Sequence, residues 1–246
     1  MSGHSKWATI KHAKGAADAK RGQMFTKLIK EISIAARMGG GLPDANPRLR
    51  TAILKARAAN MPKDNIERAI KKGTGELEGV NYEELAYEAF APGGVALLIE
   101  VLTDNKNRAA ADVRNILTKS GGQLATSGSV SRLFKRLGVI TLDGDKYTED
   151  QVMEAAIEGG ADDVAESDGI IEVTTAPEDF EAVVNALNAK EFETMSAEIS
   201  MIPDADVSLD NEGTAKAVKL IERLEENDDV QNVYSNINIP DGFVPE

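Results

Sequence analysis

The chain of 246 residues is longer than a typical single domain, and its 42% hydrophobic and 28% charged residues are those of folded globular domains. It has no cysteine, which excludes disulfides, thiolate zinc sites and cysteine nucleophiles, and its formal net charge is −13. That charge is unevenly divided: residues 1–72 hold 16 Lys and Arg against 5 Asp and Glu, net +11, whereas the remainder holds 12 against 36, net −24. A basic head on an acidic body points to a polyanionic partner for the head.

No apolar run reaches bilayer-spanning length, and the N-terminus lacks the apolar stretch of a secretory signal, so a cytoplasmic location without membrane contact is expected. Residues 1–17, rich in Gly, Ser and Lys, read as an arm carrying Lys6, Trp7, Lys11, His12 and Lys14. From Asp18 to about Met38 a helix is predicted, with Phe25, Leu28, Ile29, Ile32 and Ala36 on one apolar face. Lys20, Lys27, Lys30 and Arg37 fall on the opposite face, which is expected to be free; Arg21 falls on the apolar side and is expected to be partly covered. Gly39-Gly40-Gly41 stops this helix.

Asn46-Pro47 starts a second helix, Asn as cap and Pro at the first position. Its buried stripe is Leu49, Ala52, Ile53, Ala56 and Ala59, flanked by Arg50 and Arg57 on one side and by Arg48 and Lys55 on the other. A third helix from near Pro62 buries Ile66, Ala69 and Ile70 and stops at Gly73, which completes a three-helix bundle.

Residues 74–80 read as a linker. Strands at 82–90 and 95–103 are joined by Pro92-Gly93-Gly94, a helix follows at 107–119, and a strand at 130–136. Between 139 and 201 the order strand, capped helix from Thr148, two strands joined at Ser167-Asp168-Gly169, helix from Pro177 and strand is the ferredoxin-like βαββαβ pattern. A last helix with Ala217, Leu220, Ile221 and Leu224 and a strand at 230–237 have no local sheet, so they are expected to return to the sheet of residues 82–136. The expected fold is α+β: a basic helical domain with its arm (1–78), a discontinuous α+β domain (79–137 plus 204–246), and a ferredoxin-like α+β domain (138–203) inserted in it.

The search for catalytic chemistry is negative. Both histidines sit in the basic arm, no GxSxG, P-loop or GxGxxG occurs, and no carboxylate pair stands out. Asp228-Asp229 reads as solvated loop charge. The expectation is a non-enzyme without cofactor or metal. Nucleic-acid affinity needs Lys and Arg gathered on one surface, and the head supplies them. Trp7 either anchors the arm on the bundle or stacks on a base. The loop Asp104-Asn105-Lys106-Asn107-Arg108 is either a capped helix start or an extension of the basic surface through Lys106 and Arg108. Reversing the charge of Lys27 and Lys30 is expected to weaken nucleic-acid binding without unfolding the bundle. The acidic domains offer a surface for a protein partner.

The segments GHSKWATIKHAKGAADAKRGQMFTKLIKEI, GGGLPDANPRLRTAI, YEAFAPGGVALLIEVLTDNKNR and AEISMIP, in this order and nearly end to end, closely resemble the YebC/PmpR family. The resemblance implies three domains, with the third inserted in the second. It also implies a probable transcriptional regulator that binds promoter DNA. Mitochondrial relatives activate translation, so the alternative is a ribosome-associated factor contacting ribosomal RNA and relieving slow translation of proline-rich sequence. Phosphate contacts alone do not separate the two.

Overall fold

The computed structural model describes residues 18–240 and residue 243, with the backbone alone for residues 18–20. Lys6, Trp7, Lys11, His12, Lys14 and the side chain of Lys20 lie outside the described residues.

Three helices, α1 (Asp18–Gly39), α2 (Pro47–Ala58) and α3 (Lys63–Thr74), form the head. Their apolar stripes close on one core that includes Ile32, Ala35, Leu49, Ala52, Ile53, Ile66 and Ala69. The small residues in this core let α1 and α3 approach closely. A Cβ on Gly73 would lie 2.3 Å from the carbonyl oxygen of Ser33. Asn46 ties the first two helices together. Its Oδ1 accepts from the Leu49 N–H (3.1 Å), while its Nδ2 donates to the carbonyls of Ala35 (2.8 Å) and Gly40 (2.9 Å). With 22 residues against 12 in each partner, α1 is about 33 Å long against about 18 Å. Its first turns run past the bundle, so Arg21 is exposed rather than partly covered.

The middle body begins with β1 (Glu83–Phe90), β2 (Ala96–Thr103), α4 (Lys106–Lys119) and the short β3 (Gln123–Leu124). The inserted body follows: β4 (Phe134–Asp143), α5 (Glu149–Glu158), β5 (Asp163–Ser167), β6 (Ile170–Thr175), α6 (Phe180–Ala189) and β7 (Thr194–Pro203). The chain closes with β8 (Val207–Ser208), α7 (Asn211–Glu225), β9 (Val230–Ser235) and β10 (Ile237–Asn238).

The strand order β3-β1-β2-β9 shows the last elements rejoining the first sheet. Helices α4 and α7 cover one face around Leu97, Ile99, Val113, Leu117, Leu220 and Leu224. The other face buries Leu98 with Phe134 and Tyr234. Covered on both sides, β2 carries an almost unbroken apolar run. The inserted sheet has the antiparallel order β5-β6-β4-β7, with α5 and α6 packed around Ile140, Leu142, Ile171, Val173 and Leu187. This is the split βαββαβ arrangement.

The strand expected at 130–136 in the middle sheet does not form there. Residues 131–133 make a short 3-10 turn, and residues 134–136 extend β4, pairing with residues 201–203 of β7. Gly138, in the gap between the strands expected at 130–136 and from 139, lies within β4, and Phe180 occupies the space a side chain there would need: a Cβ would be 2.6 Å from its ring. The entry and exit of the insertion are thus hydrogen-bonded to each other. Among the described residues no helix is long and apolar enough to cross a membrane.

Candidate nucleic-acid interface

A phosphate backbone is held by cations that are exposed and not already neutralised. The structure separates the head's cations on this basis. Lys30, near the middle of α1, is only 7% exposed. Its Nζ donates to Oδ1 of Asp229 (2.7 Å) and to the carbonyls of Asp228 (2.8 Å) and Leu102 (3.3 Å), and it lies 5.7 Å above the centre of the Tyr82 ring. Asp229, at 5% exposure, also accepts from Thr103 Oγ1 (3.1 Å) and from Arg108 Nη2 (2.8 Å) and Nε (3.2 Å). Burial alone would raise the Asp229 pKa; Lys30 and Arg108 outweigh it and hold the carboxyl below its usual range.

One and two turns earlier on α1, Lys27 donates to the carbonyl of Glu225 (2.6 Å) and Gln23 to that of Glu226, at the end of α7. A cation against the last carbonyls of a helix meets the negative end of its dipole. The expectation of a free Lys27/Lys30 face is therefore corrected: that face seats the head on the middle body. A signal was available in the sequence, since Ile34 follows Lys27 and Lys30 at spacings of seven and four, and it is buried. Asp229, expected to be solvated, is the buried counter-charge.

Arg48 binds both oxygens of Glu31 (2.7 and 3.0 Å) and reaches Glu84 of β1. Burial opposes its charge, but the two carboxylates prevail and raise its pKa. Arg50 pairs with Glu181 of α6 (2.8 Å) and Lys55 with Glu198 of β7 (3.2 Å), both across to the inserted body. Lys106 pairs with Glu83 (2.6 Å), and Arg108 with Asp104 (2.6 Å) as well as Asp229. Asn105 caps α4 by accepting from the Arg108 N–H (3.0 Å). Of the two readings of this loop, the capped helix start describes the geometry, with its cations paired to acids.

Several cations among the described residues keep an uncompensated charge. Arg37 donates to the carbonyl of Tyr82 and to Oδ1 of Asn81 (3.3 Å), groups that leave its charge intact. Arg68, Lys71 and Lys72 are exposed on α3, on the face away from Ile66, Ala69 and Ile70, and their side chains have no ion-pair or hydrogen-bond partner among the described residues. Arg57, at the end of α2, is also exposed without such a partner. Arg37 and Lys72 share the wall of a cavity of about 270 Å³ with Ser33, Thr74 and Tyr82. The three α3 cations escaped the sequence reading, although their spacing of i, i+3 and i+4 places them on one helical face.

No group of three or more His, Asp or Glu side chains among the described residues is placed to hold a metal ion.

The chain matches two family models, the TACO1/YebC protein N-terminal domain over residues 5–76 and the TACO1/YebC second and third domain over residues 82–237. A relative from Treponema denticola is 69% identical over 247 residues, covering 100% of both chains, and one from Treponema pallidum is 66% identical over 244 residues, covering 99% of this chain and 100% of its own. Both are named probable transcriptional regulatory protein. The crystal structure of a conserved hypothetical protein from Aquifex aeolicus superposes with a TM-score of 0.83 at 46% identity, over 93% of this chain and 95% of its own. With both family models matched in order on a fold shared with that structure, the chain belongs to the TACO1/YebC family.

Proposed function

We propose that the protein is a non-enzymatic, DNA-binding regulator of transcription whose helical head holds the phosphate backbone. The observation that carries this reading is the row Arg68, Lys71 and Lys72 on α3, with Arg37 beside it, left uncompensated in a chain whose other domains are strongly acidic. Arg57 adds a further exposed cation on the head, and the arm with Lys6, Lys11, Lys14 and Trp7 would add phosphate and base contacts. The names of the relatives support transcription as the process. The acidic middle and inserted bodies repel the same polyanion, so they restrict it to the head.

A mobility-shift assay at physiological salt tests the reading. A promoter fragment should bind at least about tenfold more tightly than a scrambled duplex of equal length, a threshold well below the usual preference of roughly a thousandfold or more for a specific site. Equal affinity for the two would remove the regulatory reading and leave only electrostatic binding.

A further inference from the structure

We propose that the outer face of α2 is a second phosphate-binding surface, covered in this structure by carboxylates of the inserted body that stand where phosphates would bind. The inference rests on the nucleic-acid reading above and adds to it a regulated extension of the site.

Arg50 is the centre of this surface. Its Nη1 donates to the carbonyls of Pro43 (3.2 Å) and Asp44 (3.3 Å), which fix the guanidinium on the head itself. Its Nη2 is thereby presented outward, and there it meets both oxygens of Glu181 (2.9 and 2.8 Å). The acid does not depend on this contact either. Glu181 lies in the first turn of α6, where the helix dipole favours negative charge. Each partner is therefore in place without the other, and their side chains are 31% and 59% exposed. Lys55 and Glu198 make a second pair between the same two bodies at 3.2 Å, 50% and 40% exposed.

Exposed pairs of this kind are weak and screened by salt. A phosphodiester meets a guanidinium through charge-assisted bonds of the same geometry as a carboxylate. Arg50 and Lys55 border the exposed face of α2 from its two sides. Arg57 follows Arg50 at a spacing of seven, and Leu54 between them is 58% exposed. Opening the two pairs would add Arg50 and Lys55 to Arg57 and the other cations already uncovered on the head. The negative inserted body would at the same time be pushed away from the incoming polyanion.

The test is fluorescence anisotropy of a labelled DNA duplex titrated with full-length protein over a range of salt. Glu181→Gln with Glu198→Gln should bind roughly three- to tenfold more tightly than the wild type, with a salt slope steeper by about two. The gain should vanish when Arg50→Gln and Lys55→Gln are added. Asp150→Asn with Asp162→Asn, which neutralises two exposed acids elsewhere in the inserted body, should leave the slope unchanged. An unchanged affinity in the Glu181/Glu198 variant, or a gain that survives loss of Arg50 and Lys55, overturns the inference while leaving DNA binding by the head intact. Absence of binding by the wild type and every variant overturns the nucleic-acid reading itself, and this inference with it.

Discussion

At the scale of single residues, Asp229 decides how the head sits. It gathers Lys30 from α1 and Arg108 from α4 on one buried carboxylate, and Thr103 satisfies a further lone pair. Removing Asp229 leaves the buried Lys30 ammonium without its anion, whereas Arg108 is exposed and keeps Asp104. Asp229→Ala should therefore cost about 3 kcal/mol in urea unfolding at neutral pH. Because the native Asp229 pKa is lowered, its contribution is fully present above the unfolded value of about 3.9 and is lost as pH falls through the native one. The gap in stability between wild type and Asp229→Ala should accordingly narrow below about pH 4; a gap that stayed constant would show that Asp229 ionisation does not stabilise the seat. Lys30→Glu, read from sequence as a surface change, would set two acids against each other at this point and loosen the domain contact.

At the scale of elements, local patterning was enough for most of the fold and failed where a long-range contact decided. The helical stripes of α1, α2 and α3, the Asn46 cap and the Thr148 capping box are properties of neighbouring residues, and they stand where the spacing puts them. The gap left between the strands expected at 130–136 and from 139 closes into one strand, and the glycine inside it, Gly138, is matched to Phe180, 42 positions away in sequence. The apparently free face of α1 was misread for a similar reason: a helical wheel separates polar from apolar, but it cannot show that a polar face meets acids and carbonyls of another body. Gly73 belongs to this scale as well. A methyl group there would meet the Ser33 carbonyl and the Ala36 side chain at the α1–α3 crossing. Gly73→Ala should destabilise the head by about 1–3 kcal/mol, measured by thermal or urea unfolding; a neutral result would mean that the crossing can widen without loss.

At the scale of the whole molecule, the charge division seen in the sequence has two uses. Part of the head's positive charge is spent on holding the acidic bodies: Lys30 on Asp229, Arg48 on Glu84, Arg50 on Glu181 and Lys55 on Glu198. Arg37, Arg57, Arg68, Lys71 and Lys72 are exposed and have no acid partner among the described residues. Composition alone shows that the head is basic, but only the pairing shows which cations remain available. Salt-dependent binding of duplex DNA by Arg68→Gln/Lys71→Gln/Lys72→Gln shows whether α3 carries the phosphate contacts proposed for it. The variant should bind more weakly than the wild type, with a slope of log affinity against log salt shallower by about two to three. The same affinity and the same slope in both proteins would contradict it.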